Sequence, residues 1–327
     1  MFSIGILGFI VWSYSGPLHS DMEINHFHVC WDSNATSTII SYNLVSTLTS
    51  AGLMLSSTTA LKASFDFTKF YQHHKFIDPT WLQWFIGFAE GDGGWYTRAN
   101  GRMTFVLTQY EQAILLHIRD VLGFGVVRFD KGVNAYRYIV EDIPSITLLA
   151  YLFNGNLVLQ HRISQFSSWM TVLASRGIDI VFSATPAIFT LSDGWLSGFT
   201  DAESSFTTIM KARASYKLGY QILIRFILDQ KNEAVLTIVM TLFNTGSVSL
   251  RKGTNGVYRY DATNNGALGS VVSYFTQFPL RTIKADAFIK WCKVRELVLA
   301  KSHLTPEGLA DIQQLVKAIN DKSSIKR

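Results

Sequence analysis

The run Trp84-Phe85-Ile86-Gly87-Phe88-Ala89-Glu90-Gly91-Asp92-Gly93-Gly94-Trp95-Tyr96 constrains this chain more than any other stretch. It starts apolar, with glycines at 87 and 91 one helical turn apart, and ends in two carboxylates bracketed by glycines. Asp78 and Pro79 stand upstream as a natural N-cap and first helical residue, so the spacing predicts a helix from Pro79 to Gly91, followed by a strand. An ionised Asp92 at that C-terminus would face the negative end of the helix dipole and unpaired carbonyls. A cation sharing the site removes the conflict, so the position asks for a metal.

A second run, Ser192-Asp193-Gly194-Trp195-Leu196-Ser197-Gly198-Phe199-Thr200-Asp201-Ala202-Glu203-Ser204-Ser205-Phe206, repeats the order. Gly87 matches Gly198, Phe88 matches Phe199 and Asp92 matches Glu203. A single run would read as a helix ending in a polar turn; two copies in one chain do not. The flanking sequence repeats as well. Phe105–Gln109 aligns with Phe226–Gln230 at an offset of 121, and Tyr136-Arg137-Tyr138 with Tyr258-Arg259-Tyr260 at 122. Phe166 and Trp169 align with Phe288 and Trp291, again at 122, so the chain carries an internal duplication. The motif acids are offset by only 111, which makes the first hairpin of the second half about ten residues longer. Within the first half, period-two stretches give hairpins at 95–109 and 125–140, helical spacing covers 111–122 with Gly123 as its stop, and further helices run over 143–153 and 162–173.

The two runs resemble the paired motif of LAGLIDADG homing endonucleases in their single-chain, two-motif form, over about residues 76–300. The departures are Phe85 and Ile86 for the first Leu-Ala, Glu90 for the first Asp, and Ser204 for the closing Gly, where a positive φ would favour glycine. The resemblance implies an α+β fold of two pseudo-symmetric αββαββα repeats, with antiparallel sheets forming a DNA-binding saddle and the motif helices paired at the interface. It implies a 1–75 extension, a first repeat over 76–174, a linker over 175–190 and a second repeat over 191–327. Glycines at 87, 91, 194 and 198, with Ala202, allow the motif helices near contact of their backbones. Glu90 and Asp201, on another helical face, are expected to cap or pack.

By similarity to the family, Asp92 and Glu203 bind magnesium with the carbonyls of Gly91 and Ala202, and oxygen ligands suit that ion. Gln109 and Gln230 match the polar residue that orients water, and Arg162 and Lys284 the cation that stabilises the phosphate. Strand alternation assigns Thr104, Val106 and Thr108, with Arg225, Ile227 and Asp229, to the DNA-facing side. The outer hairpins add Arg128, Asp130 and Arg137, then Ser249, Arg251 and Arg259; the first strands add Arg98, Lys211 and Arg213. Arginines there would read guanine edges in the major groove.

The formal charge of +5 permits a nucleic-acid partner without requiring one. Only Cys30 and Cys292 occur, and neither His26/His28 nor His73/His74 has the further ligands of a zinc site. Residues 1–16 are apolar but short for a membrane span and lack the basic start of a signal peptide. Met1–Ser13 looks like a segment of cytochrome oxidase subunit I, which implies an exon-derived start fused in frame to a mitochondrial intron reading frame. Ser33–Leu61, rich in Ser and Thr, reads as a flexible linker, with a short amphipathic helix as the alternative. The expected function is cleavage of both strands of a long duplex site by a monomer, with no membrane partner, promoting intron homing in mitochondria. The alternatives are an intron RNA maturase on the same fold and a DNA-binding remnant.

Overall fold

The computed structural model describes residues 65–263 and 266–320. The exon-like start, the Ser/Thr-rich linker, Cys30, His26 and His28 lie outside the described residues. A short helix α1 (Thr68–Tyr71) precedes the first repeat, which runs α2 (Pro79–Asp92), β1 (Gly93–Thr97), β2 (Met103–Gln109), α3 (Gln112–Leu122), β3 (Val126–Asp130), β4 (Ala135–Val140), α4 (Ile143–Phe153) and α5 (Gln160–Ser175). The second runs α6 (Trp195–Glu203), β5 (Ser204–Ala212), β6 (Tyr220–Gln230), α7 (Glu233–Phe243), β7 (Ser247–Leu250), β8 (Tyr258–Ala262), α8 (Gly269–Gln277) and α9 (Lys284–Leu299). Each repeat has the αββαββα order, its closing helical part split in two. A last helix, α10 (Pro306–Asn320), packs on α9 and β5.

Local chemistry sets most of these boundaries. Asp78 Oδ1 accepts the Trp81 amide at 3.0 Å with Pro79 at the first helical position, and α2 carries on through Asp92. Gly123 ends α3 at φ 80°, and Asn244, at φ 50°, does the same for α7. All strand pairing is antiparallel, in the orders β1-β2-β4-β3 and β5-β6-β8-β7. Strands β5 and β6 have 9 and 11 residues against 5 and 7 in β1 and β2, the longer hairpin expected from the offsets. Alternation buries Phe105, Leu107, Tyr138 and Val140 beneath one sheet and Ile224, Phe226, Leu228 and Tyr260 beneath the other. The opposite faces, carrying Val106, Thr108, Arg137 and Ile139, and Arg225, Asp229, Arg259 and Asp261, stay accessible.

Helices α2 and α6 cross at backbone contact. A Cβ placed on Gly198 would stand 1.7 Å from the Trp84 carbonyl oxygen, and one on Gly87 2.0 Å from that of Trp195. Only glycine fits at either crossing point. A Cβ on Gly91 would meet Ala202 Cβ at 2.2 Å, so the small residues form one seam down to the acids.

The extension expected over 1–75 is part of the first repeat by residue 65. Phe67 and Phe70 are buried in the core, and Asn156 bridges the Asp66 amide and carbonyl at 2.8 Å each. The apolar spacing of that short stretch is too brief to register as a helix in sequence. Between α5 and α6 the chain is irregular, pinned by Asn154, which donates to the Val181 carbonyl and accepts from the Ser183 amide, both at 2.8 Å.

Candidate metal centre and outward sheet faces

Asp92 and Glu203 are the last residues of α2 and α6. Because those helices touch, the acids come to the same end of the seam: a Cβ on Gly91 would lie 3.2 Å from Glu203 Cγ. Burial pushes the Asp92 carboxyl up to about 6, against the pull of Lys284, Gln109 and Arg162. Burial and then the Asp92 charge push Glu203 up to about 7. Two largely buried carboxylates side by side are the setting that a divalent cation relieves. Gln109 Nε2 donates to Asp92 Oδ2, and Gln230 Nε2 to Glu203 Oε1 at 3.4 Å. The last residues of β2 and β6 therefore hold the two acids in matching ways.

Arg162 and Lys284 come from the first turns of α5 and α9. Arg162 donates from Nε to the Glu90 carbonyl (2.8 Å) and from Nη2 to the Gly91 carbonyl (2.9 Å). Lys284 Nζ donates to the carbonyls of Thr200 (3.2 Å) and Ala202 (2.9 Å). Each cation thus caps the negative end of its motif helix. The carbonyls of Gly91 and Ala202, expected as metal ligands, are already hydrogen-bonded, although a carbonyl keeps a second lone pair. Among the described residues no three His, Cys, Asp or Glu side chains cluster as a metal site. Two carboxylates and two carbonyls fit a hard cation whose remaining ligands are water and substrate oxygens.

Glu90 and Asp201 build the seam. Glu90 is fully buried and accepts from the amides of Val158 (2.9 Å) and Leu159 (2.7 Å), just ahead of α5, and from Trp195 Nε1 of the other motif helix (2.7 Å). Asp201 accepts from the Arg281 amide (2.8 Å) and Thr282 Oγ1 (2.6 Å) ahead of α9, and from Trp84 Nε1 (2.8 Å). Burying a carboxylate costs several kcal/mol, which three charge-assisted hydrogen bonds of about 1.5–3 kcal/mol each can offset. Burial still pushes Glu90 up to about 7 and raises Asp201. Of the two roles expected for this pair, the bonds match packing rather than capping, since they anchor the segments ahead of α5 and α9 and neither helix has a side-chain cap. The crossed tryptophan bonds have their sequence signal in a Trp at the same motif position in both copies.

Ser204 needs no glycine. It is extended at φ −105°, and its Oγ donates to the Thr200 carbonyl at 2.7 Å. The concern that this departure strains the motif is overturned.

On the sheet faces the expected side chains divide. Arg98, Arg128, Lys211, Arg213, Ser249 and Arg251 are exposed, Arg98 and Arg213 just beyond the strands and Arg251 just past β7. Val106 and Thr108 are half-buried on the outward face. Thr104 and Ile227 are covered, with Thr104 donating to Glu141 Oε1 at 3.3 Å, which withdraws both from easy contact. Most of the arginines are not free. Arg137 pairs with Asp130 (2.7 Å), Arg225 with Asp261, and both Arg251 (3.0 Å) and Arg259 (2.6 Å) with Asp229.

Comparison with known proteins follows this geometry. The family model described as LAGLIDADG endonuclease matches residues 196–295, within the second repeat. A Neurospora crassa protein named Probable intron-encoded endonuclease 4 is 34% identical over 255 residues, 75% of this chain and 45% of that protein. A Schizosaccharomyces pombe protein named as a cox1 intron-2 protein is 25% identical over 253 residues, 72% of each. The chain thus spans less than half the length of the Neurospora relative. Among solved structures, meganuclease I-SmaMI bound to uncleavable DNA has a TM-score of 0.64 at 19% identity, over 77% of this chain and all of that one, and so shares the fold. The LAGLIDADG endonuclease family model thus matches one repeat, and the other rebuilds the same architecture across a glycine seam, so the chain is similar to that family with its motif present twice in one polypeptide.

Proposed function

We propose that the protein is a site-specific endonuclease that hydrolyses both strands of a long duplex DNA target, acts as a monomer with a divalent metal, magnesium in the cell, and promotes homing of its intron in mitochondria. The observation that carries this is the meeting of Asp92 and Glu203, one from each repeat, at the end of the α2–α6 seam. The names of the relatives, intron-encoded endonuclease and cox1 intron protein, support the genetic setting. Asp92 and Glu203, with the Gly91 and Ala202 carbonyls, would hold the metal, which when bound supplies an activated water and charge stabilisation at the leaving oxygen. Gln109 and Gln230 fix the carboxylates through their amide nitrogens; the Gln109 amide oxygen is left to orient water, whereas that of Gln230 accepts from the Lys231 amide at 2.7 Å and keeps one lone pair for the same task. Arg162 and Lys284 put fixed positive charge where the phosphate becomes more negative.

Purified protein with magnesium should linearise a plasmid carrying the intronless exon junction. Asp92→Asn and Glu203→Gln should each lower linearisation roughly a hundredfold or more, the scale of losing several kcal/mol of charge stabilisation. Cutting without divalent metal, or full activity in both variants, would defeat the mechanism. A role as a splicing cofactor for its own intron RNA would leave both acids idle: the doubly substituted protein would then still rescue splicing, and failure to bind the RNA would exclude the role.

A further inference from the structure

The two outward sheet faces differ in chemistry at aligned positions. On the second, Arg225 of β6 donates from Nε (3.2 Å) and Nη2 to Asp261 of β8. Asp229 of β6 accepts from Nε (2.7 Å) and Nη2 (2.6 Å) of Arg259, its register partner on β8, and from Arg251 Nη1 (3.0 Å). On the first sheet the aligned positions are Thr104 for Arg225, Thr108 for Asp229 and Ile139 for Asp261, with Val106 directly opposite Ile139. Arg137, the counterpart of Arg259, lacks the facing carboxylate, and its buried Nε has no partner.

A carboxylate that grips a guanidinium through Nε and Nη2 fixes its plane and leaves Nη1 and the outer edge for a bidentate approach to guanine O6 and N7. Valine, isoleucine and threonine instead present methyl groups, and thymine is the one DNA base with a methyl in the major groove. We propose that the target duplex is polar in composition: the half on β5-β6-β8-β7 carries guanines facing Arg225 and Arg259, and the half on β1-β2-β4-β3 carries A·T pairs whose thymine methyls meet Val106 and Ile139. This rests on the sheets being the DNA-facing surface, as in the proposed function. Asp229 and Asp261 are positioning residues that act through their arginines.

The test is selection of bound duplexes from a randomised pool by the full chain with Ca²⁺ in place of Mg²⁺, followed by sequencing. The enriched sites should hold guanines in one half and A·T pairs in the other. Asp261→Asn and Asp229→Asn should each lower the guanine preference at one or two base pairs by about tenfold. Affinity for random duplex should not fall, and Asp229→Glu should recover part of the preference. Ile139→Ser should weaken only the thymine preference of the other half. A merely structural loss would lower binding evenly at all positions and, like guanines spread evenly over both halves, would overturn the proposal. Failure to enrich any sequence would overturn the DNA-facing assignment along with it.

Discussion

Asp92 and Glu203 hold their protons more tightly than free carboxyls, to about 6 and about 7, chiefly because they are buried. The sign of that shift sets a pH rule. As pH rises from about 4 to about 7 the unfolded chain releases these protons first, so the metal-free fold loses stability across that window and the loss is complete above it. A divalent cation needs both groups ionised, so its affinity rises over the same window and its stabilisation grows with occupancy. Magnesium should therefore raise the melting temperature more at pH 8 than at pH 6 by calorimetry, and the protein carrying both Asp92→Asn and Glu203→Gln should lose that difference. An equal shift at both pH values would separate the ion from these acids.

The helix pair makes its own prediction at the element scale. Gly198→Ala would drive a methyl into the Trp84 carbonyl of α2, where neither backbone can withdraw without opening the seam. Overpacking costs about 1–3 kcal/mol and more where backbone must move, so urea unfolding should fall by at least that much and the variant should cleave poorly. Elements fixed by local rules could be read directly from the chain: the Asp78–Pro79 start of α2, the glycine stop of α3, the alternation in β2 and the longer second hairpin. The centre of the site was legible because duplication printed its acids twice. The rest depended on partners distant in sequence. No local pattern reveals that Glu90 takes its proton donors from Val158, Leu159 and Trp195, that Arg162 and Lys284 rest on the Gly91 and Ala202 carbonyls, or that Asp229 holds two arginines. Helix α10 was missed although Pro306 and the apolar residues at 309, 312, 316 and 319 announce it, because it lies beyond the repeated unit.

For the whole molecule, neither repeat contains all of the proposed site, and the link between them carries none of the proposed residues. Residues 1–184 and 185–327 produced as separate chains in one cell should co-purify through the α2–α6 seam and cleave the plasmid together, whereas either alone should not. Activity in one piece alone would contradict the shared centre. The crossed bonds from Trp84 to Asp201 and from Trp195 to Glu90 carry a further consequence. Under a two-fold axis such an exchange is self-complementary, so an isolated repeat could satisfy it with an identical twin, at the cost of identical outer strands. Joining the copies in one polypeptide removes that cost: the hidden lock stays matched while each outward sheet face is free to diverge.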